Sequence, residues 1–162
     1  MVTHEWTKFS DVPVHGDSLA GKPSDTIRVY FENIDGFRVD PKKSLRNNKN
    51  LTYYNNLITC LDIDIVGGAE ARTNWGLVPT SHSLQKVLNL REGSRCVSAY
   101  NLHEKFSVNQ QGGTFVATQP SLMDAYVKCG TDDEGLGRWS WIQLAGKNVS
   151  TRVITAYQPC KT

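Results

Sequence analysis

The stretch IRVYFENIDG, Ile27 to Gly36, decides the fold that the sequence predicts. Its first eight residues are rich in β-branched and aromatic side chains, which favour a strand, and Asp35-Gly36 then breaks that strand. A second apolar stretch, Ile63 to Val66, is followed by two glycines and predicts another strand. Between the two strands, apolar residues recur at the spacing of a helix that Asn48 or Asn50 could cap. They are Leu51, Tyr54, Leu57, Ile58 and Leu61.

The rest of the chain adds a short helix and more strands. Ser81 precedes a second helical stripe as a plausible N-cap. Further strands are predicted at Cys96–Tyr100 and Thr114–Thr118, and a hairpin joins 138–144 to 149–157 through a turn at 146–148. Because the strands start in βαβ order and finish in a hairpin, the sequence predicts the α/β class. The expected architecture is a mixed β-sheet with covering helices, half of a four-layer α/β sandwich.

Length and composition are those of a globular protein with one domain. The 162 residues carry a net charge of +2, and 39% of them are hydrophobic. This weak charge neither requires nor excludes a nucleic-acid partner. No stretch is apolar enough to span a membrane, and no signal peptide is seen, so an intracellular location is favoured over secretion. Four separated cysteines without a CxxC pair argue against a zinc site, and two disulfides remain an alternative. We expect an irregular leader over 1–24 and the domain over 25–162.

Polar residues that could carry chemistry follow three of the predicted strands. Asn33 and Asp35 follow the first, Glu70 the second, and Tyr157 the last. Loops beyond strand ends are where α/β proteins place ligands. Asp35 and Glu70 are oxygen donors that could hold Mg²⁺ beside a phosphate, in an incomplete site. Asn33 could orient a carboxylate or a phosphate, and Tyr157 could donate a hydrogen bond to a phosphate oxygen.

Each of these features also has a plain structural interpretation. Asn-Ile-Asp-Gly is a good turn sequence, a lone glutamate after a strand is usually a solvated surface residue, and Tyr157 could simply close its strand. The basic residues Lys42, Lys43 and Arg46 could contact a phosphate backbone, although a solvated loop is the simpler interpretation. Only the order and placement of the features together point to a site.

Taken together, four segments resemble the endonuclease/exonuclease/phosphatase superfamily, which includes apurinic endonucleases and the endonuclease domains of retrotransposons. They are IRVYFENIDG at 27–36, DIVGGAEARTNW at 64–75, QGGTFVA at 111–117 and GLGRWSWIQLAGKNVSTRVITAYQPC at 135–160. The Glu-x-x-Thr-Asn-Trp, Gly-Arg-Trp-Ser-Trp and Thr-Ala-Tyr-x-Pro-Cys stretches look most like the retrotransposon-associated branch. The resemblance covers Ile27 to the C-terminus.

The resemblance implies roles for four residues. Asn33 would organise the metal and phosphate site, Asp35 and Glu70 would bind Mg²⁺, and Tyr157 would contact the scissile phosphate. The chain departs from the family pattern at Ala71, where the family usually has threonine, and at Cys160, where apurinic endonucleases often have asparagine.

The family's second half supplies an Asp-x-Asn motif and a late Asp-His pair, and none of the four histidines follows Tyr157. The resemblance therefore predicts the N-terminal half of a Mg²⁺-dependent phosphodiesterase domain that is inactive alone. Alternatives are a non-catalytic module that binds nucleic acid or protein, and an active nuclease assembled from two chains. A lone half would also expose the inner face of its sheet, with Trp139, Trp141, Ile142 and Val153 among the uncovered residues. We therefore expect self-association or a complementing chain.

Overall fold

The computed structural model describes residues 21–43, 49–104 and 106–158. The predicted leader thus lies outside the described residues except for 21–24, where Lys22 contacts Asp64 at 2.6 Å. Within the described residues, helices and strands alternate along the first half, and strands fill the second. The helices are α1 (Lys49–Cys60) and α2 (Leu84–Val87), and the strands are β1 (Val29–Asn33), β2 (Ile65–Ala69), β3 (Arg95–Ala99), β4 (Thr114–Thr118), β5 (Tyr126–Thr131), β6 (Trp139–Ala145) and β7 (Ser150–Ala156).

The first four strands form a mixed sheet in the order β1-β2-β4-β3. β1 runs parallel to β2, and β4 runs antiparallel to both of its neighbours. This confirms the predicted α/β class and the mixed sheet. The sequence predicted that the strand ends at the glycine pair, but Gly67 and Gly68 lie inside β2. A Cβ on Gly67 would meet the Thr155 side chain at 2.4 Å, and one on Gly68 would meet Phe115 at 2.3 Å.

The larger core lies between this sheet and the two helices. Phe37 is fully buried at its centre, and its ring contacts Tyr54, Trp75 and Phe115 at centroid distances of 5.9, 5.7 and 5.3 Å. Such offset and edge contacts between aromatic rings add to the stabilisation from burial. Because Phe37 follows β1 by four residues, its burial fixes the loop that carries Asp35.

The hairpin of the sequence analysis is confirmed, but it belongs to a separate antiparallel sheet, β5-β6-β7. The sequence did not predict β5, whose pairing with β6 shifts register between Tyr126 and Lys128. In β6 every second residue from Ser140 to Leu144 is buried. Ile142 and Leu144 pack with Ile65 and Val116 in a second core between the two sheets.

The second sheet covers much of the face that we expected to be bare. Ile142 was predicted to be uncovered and is fully buried instead, because β6 lies across the first sheet. Val153 is half-buried beside it. Trp139 and Trp141 lie on the opposite face of β6, where the Arg152 guanidinium stacks on Trp141.

The face left bare belongs to β1, the outermost strand of the first sheet. Val29 pairs with Ile65 and Phe31 with Gly67, so both side chains point to the side on which the second sheet packs. They are nevertheless 52% and 53% exposed, and Ile27 is 54% exposed. We call Ile27, Val29 and Phe31 the β1 apolar row.

The two helices begin close to where the sequence predicted. α2 follows Ser83, not the predicted cap Ser81, because Thr80–His82 forms a separate 3₁₀ turn. α1 packs Tyr54, Leu57 and Ile58 into the larger core, in agreement with its apolar spacing. In the described part of the chain, no helix has the length and apolar character needed to cross a membrane.

Candidate functional site

Main-chain hydrogen bonds hold the loops after β1 and β2 side by side. The Ile34 amide donates to the Ala69 carbonyl at 3.0 Å, and the Phe37 amide donates to the Ala71 carbonyl at 3.2 Å. In the sequence, Asp35 lies between the donors Ile34 and Phe37. Glu70 lies between the acceptors Ala69 and Ala71. The two parallel strands therefore deliver both carboxylates to the same end of the sheet.

A third loop, before β4, continues this ladder and brings Tyr157 to it. The amides of Ala71 and Arg72 donate to the carbonyls of Gly113 and Gly112 at 3.1 and 2.8 Å. A Cβ on Gly112 would lie 3.1 Å from the Tyr157 ring, so that ring rests against the glycine backbone. The Tyr157 amide in turn donates to the Arg138 carbonyl at 2.7 Å. The site residues expected after β1, β2 and β7 thus lie around one set of joined loops.

Arg72 links the two carboxylates. Its Nη1 lies 2.7 Å from Asp35 Oδ1, and its Nη2 lies 2.9 Å from Glu70 Oε2. Asn33 Nδ2 donates to the other Glu70 oxygen, Oε1, at 3.0 Å, and Asn33 Oδ1 accepts from the Asp35 amide at 3.3 Å. The four side chains form a continuous chain of contacts, which we call the Asn33–Arg72 cluster (Asn33, Asp35, Glu70 and Arg72).

These contacts stabilise the ionised form of Glu70. The hydrogen bond from the Asn33 amide is the largest cause that lowers the pKa of the Glu70 carboxyl below its ordinary value of 4.5; burial opposes it, and the hydrogen bond and charge of Arg72 lower the pKa further. Glu70 is therefore a carboxylate at neutral pH. An ionised carboxylate can accept hydrogen bonds or bind a cation, but it cannot donate a proton.

Three residues of the cluster have left-handed backbones that are uncommon for side chains other than glycine. The φ angles of Asp35, Glu70 and Arg72 are 48°, 54° and 50°. Gly36 follows with a φ of 90°, and a Cβ there would lie 3.2 Å from the Arg72 side chain. Such conformations cost free energy, and they concentrate at functional sites. The backbone here is shaped so that the three charged groups meet.

Sequence reasoning missed Arg72. The residue belongs to the Glu-Ala-Arg-Thr-Asn-Trp stretch that was noted for its resemblance, but nothing in its spacing shows that it turns back onto Glu70. The direction of its side chain depends on a left-handed backbone and on the glycine at position 36. The known rule for ion pairs close in sequence concerns helices, where partners lie three or four residues apart, and it does not cover Glu70 and Arg72, which lie two residues apart in a loop.

A polar cleft of about 630 Å³ opens beside the cluster. Arginines and side-chain amides supply much of its lining: Arg38, Arg72, Asn101, Asn109, Gln110 and Gln111. Arg38 is exposed and forms no ion pair with another residue of the described ranges. Asp35 and Glu104 also line the cleft, and Arg72 is paired with Asp35. Guanidinium groups match the geometry of phosphate oxygens, so Arg38 is the lining residue best suited to contact an anionic ligand.

The predicted basic loop is only partly described. Asp40 accepts from the Lys42 amide at 2.9 Å and forms an ion pair with Lys43 at 3.4 Å, while Arg46 lies outside the described residues. Hydrogen bonding to the Lys42 amide, before other causes, lowers the pKa of the Asp40 carboxyl. The structure does not bring Lys42 or Lys43 into the lining of the polar cleft.

The two histidines of the described ranges are engaged elsewhere. His82 contacts the Lys43 carbonyl at 2.9 Å, and His103 contacts the Glu134 carbonyl at 3.2 Å. Neither contacts the Asn33–Arg72 cluster through a hydrogen bond between described residues. Cys60, Cys96 and Cys129 are free thiols, and burial raises the pKa of Cys96 to about 12.

The donor set does not form a ready site for a divalent cation. Both oxygens of Glu70 and one oxygen of Asp35 are already bonded, and the group between the two carboxylates is itself a cation. Among residues 21–43, 49–104 and 106–158, no three histidine, cysteine or acidic side chains are grouped to hold a metal ion. The residues fit a metal only if Arg72 moves away.

The fold is similar to that of solved AP endonucleases. The AP endonuclease LMAP from Leishmania major matches with a TM-score of 0.55 and 14% identity, over 79% of this chain and 39% of that one. An AP endonuclease from Archaeoglobus fulgidus matches with a TM-score of 0.48 and 15% identity, over 82% of this chain and 41% of that one. The chain therefore spans about two fifths of the length of these proteins. Neither a protein-family model nor a curated protein matches its sequence.

At this level of identity the likeness establishes the fold and nothing finer. The chain has an AP-endonuclease-like α/β fold, in which a mixed sheet packs against an antiparallel one. The AP-endonuclease part of the sequence resemblance is thereby confirmed as a statement about the fold. The retrotransposon branch, the correspondence to an N-terminal half and the roles of the site residues stay predictions.

Proposed function

We propose that the chain is a nuclease-like domain that binds the phosphodiester backbone of nucleic acid in the polar cleft beside the Asn33–Arg72 cluster and hydrolyses it no faster than background. The observation that carries this proposal is that the Asn33–Glu70 contact and Tyr157, whose ring lies against Gly112, belong to one set of joined loops beside an arginine-bearing cleft. Loops at strand ends of α/β proteins commonly bind phosphates, and arginine is well suited to them.

Binding would use the cations and donors that face the cleft. Arg38 offers a guanidinium that forms no ion pair with another described residue, and the side-chain amides supply neutral hydrogen-bond donors. Tyr157, whose ring lies against Gly112 outside the cleft lining, would donate from its hydroxyl to a phosphate oxygen. Arg72 would offset part of the repulsion between the phosphate and the two carboxylates, Asp35 and Glu70. Glu70 and Asp35 would hold the magnesium that the family resemblance implies only if Arg72 moved away, and the ion would then supply a Lewis acid for a phosphoryl oxygen.

Weak hydrolysis follows from the state of the carboxylates. A general base must be free to accept a proton from the attacking water, whereas Glu70 and Asp35 are already bonded to Asn33 and Arg72. The described histidines are bonded to loop carbonyls instead. Losing a positioned general base commonly costs about 10²–10⁴-fold in rate.

The remaining expectations from the sequence form part of the same proposal. The chain corresponds to the N-terminal half of an endonuclease/exonuclease/phosphatase domain, and its motifs are most similar to those of retrotransposon-associated endonucleases. The overlap supports the first point, because 79% of this chain aligns with only 39% of the AP endonuclease LMAP.

Plasmid relaxation tests the hydrolytic part. Purified protein is incubated with supercoiled plasmid and Mg²⁺, beside the Glu70→Gln variant, which keeps the side-chain volume and removes the charge. We expect both to leave the plasmid supercoiled. Nicking by the native chain that Glu70→Gln abolishes would show an active nuclease, and would contradict the proposal.

Fluorescence anisotropy with a labelled DNA duplex tests the binding part. We expect affinity to fall as salt rises, because bound phosphates release counterions, and to weaken in Arg38→Gln. Lys42→Gln is the matched control, since Lys42 lies outside the cleft lining. If Lys42→Gln weakens binding and Arg38→Gln does not, the basic loop is the interface and the cleft is not.

A second candidate function, a protein-interaction module, is favoured by the β1 apolar row. Its side chains point to the side of the first sheet on which the second sheet packs, but the second sheet ends at its edge strand β7 and leaves them half exposed. A strand added beside β7 would cover them, since neighbouring strands lie about 4.8 Å apart. That strand would come from a second copy or from a complementing chain, as the sequence analysis expected.

A further inference from the structure

We propose that Arg72 is a built-in cation that takes the place of a divalent metal between Asp35 and Glu70, so that removing its charge creates a metal site. The inference deepens the proposed function by assigning the cation preference of the same cluster. It depends on that proposal only for the location of the site, because cation binding is measured without nucleic acid.

The first argument is the geometry of the guanidinium. Two different nitrogens of Arg72 reach one oxygen of Asp35 and one of Glu70, at 2.7 and 2.9 Å. Charge-assisted hydrogen bonds are this short when they are well formed. A Mg²⁺ ion would need carboxylate oxygens at about 2.0–2.1 Å in an octahedral arrangement. Because the same oxygens cannot serve both cations, a metal would have to displace the arginine.

The second argument is that Arg72 is held in place by its backbone and its stem. Its amide donates to the Gly112 carbonyl at 2.8 Å, and its carbonyl accepts from the Gln110 amide at 3.1 Å. Its side-chain carbons pack over Gly36, where a Cβ would lie 3.2 Å from both Cβ and Cδ of Arg72. An exposed arginine usually loses much side-chain entropy when it forms an ion pair. Here the backbone and Gly36 already restrict the side chain.

The third argument is charge. Asp35 and Glu70 carry two negative charges that converge on one point, and Arg72 neutralises one of them. An approaching divalent cation meets a net charge of −1 with the guanidinium in place, and −2 without it. Opposite charges at such short range interact strongly even near the surface, so removing the positive charge should raise cation affinity.

Isothermal titration with Mn²⁺ alone, at low ionic strength, provides the test. The proteins are the native chain, Arg72→Met and Arg72→Asn. Methionine keeps the packing of the stem on Gly36 without charge, whereas asparagine tolerates the left-handed backbone that Arg72 adopts. We expect either variant to bind Mn²⁺ at least about tenfold more tightly than the native chain, because one nearby positive charge is gone. Circular dichroism confirms that each is folded.

Two control proteins make the result specific. Arg91→Met removes an exposed arginine that precedes β3 at the opposite end of the first sheet, and it should leave Mn²⁺ affinity unchanged. Arg72→Met combined with Glu70→Gln should lose the gain. A folded Arg72 variant with unchanged affinity, or a gain that survives Glu70→Gln, would overturn the inference. Neither outcome bears on whether the cleft binds DNA, which the anisotropy experiment decides.

Discussion

The pKa of the Glu70 carboxyl depends on a neighbouring neutral side chain as well as on the arginine beside it. Hydrogen bonding from Asn33 is the largest cause that lowers the pKa of Glu70, and the Arg72 contacts come after it. Asn33 is exposed, so its truncation should leave the core intact. Mutation of Asn33 can therefore separate its effect on the Glu70 pKa from the effect of Arg72.

We predict that Asn33→Ala raises the pKa of Glu70 toward its ordinary value of 4.5. A depressed carboxyl pKa stabilises the fold above the unfolded value, and this contribution is lost as pH falls through the folded value. Asn33→Ala should therefore narrow the difference between stability at pH 7 and stability at low pH. Carbon-detected NMR titration of the glutamate carboxyls measures the shift. An unchanged Glu70 pKa would show that Arg72 alone sets it.

At this scale, the sequence placed Asn33, Asp35 and Glu70 correctly at the ends of adjacent strands, because strand order alone brings those positions together. It could not place Arg72. Whether a side chain turns toward or away from its neighbour two residues back depends on one φ angle, here 50° at Arg72. That angle is stabilised by contacts with Gly36 and Gly112, which lie distant in sequence.

At the scale of elements, β2 shows how a tertiary contact reverses a local preference. Glycine weakens a strand, and two in succession predict its end. β2 nevertheless continues through both, because a side chain from another strand occupies the space above each glycine, Thr155 at Gly67 and Phe115 at Gly68. Gly68 lies under Phe115, which is 1% exposed and packs against Phe37 at 5.3 Å.

We predict that Gly68→Ala destabilises the protein by about 1–3 kcal/mol or more, because the added methyl overpacks the core against Phe115. Gly146→Ala is the matched control, since a Cβ there would meet only the Val149 carbonyl, at 3.7 Å. Urea denaturation followed by tryptophan fluorescence compares the two. Equal midpoints would mean that β2 moves to accept the methyl group.

The other elements divide in the same way. Strand β4 was predicted with its observed bounds, since five buried residues after two glycines form a clear pattern. Strand β5 was not predicted, because its exposure does not alternate and its pairing is irregular. The hairpin was predicted, but not that it forms a second sheet over the first, because periodicity does not show which sheet a strand joins.

At the scale of the whole molecule, the two sheets cover each other unequally. Four strands lie against three, and the strand left over is β1 with its apolar row. Natural edge strands are usually protected by charges, bulges or covering loops, whereas this row presents large apolar side chains. Exposed rows of this kind commonly mark interfaces.

We predict that Phe31→Lys reduces self-association without unfolding the chain. Phe31 is 53% exposed, so its replacement should change stability by only about 0.5 kcal/mol, whereas a charge on the row opposes pairing. Light scattering across a concentration series measures the mass. Ile154→Lys, at a site 57% exposed on the outer face of β7, is the control. A native chain that stays monomeric throughout, or equal effects of both changes, would argue against the row as an interface.

The ladder of main-chain bonds through the site loops also bears on the thermodynamics of ligand capture. Segments that must order themselves around a guest lose entropy at that moment, which weakens affinity. Here Phe37, Ala71, Arg72 and Tyr157 already donate their amides to neighbouring carbonyls. A phosphate that binds at these loops would meet a preorganised surface. The free energy of its binding would then depend mainly on displacing water and rearranging two or three long side chains.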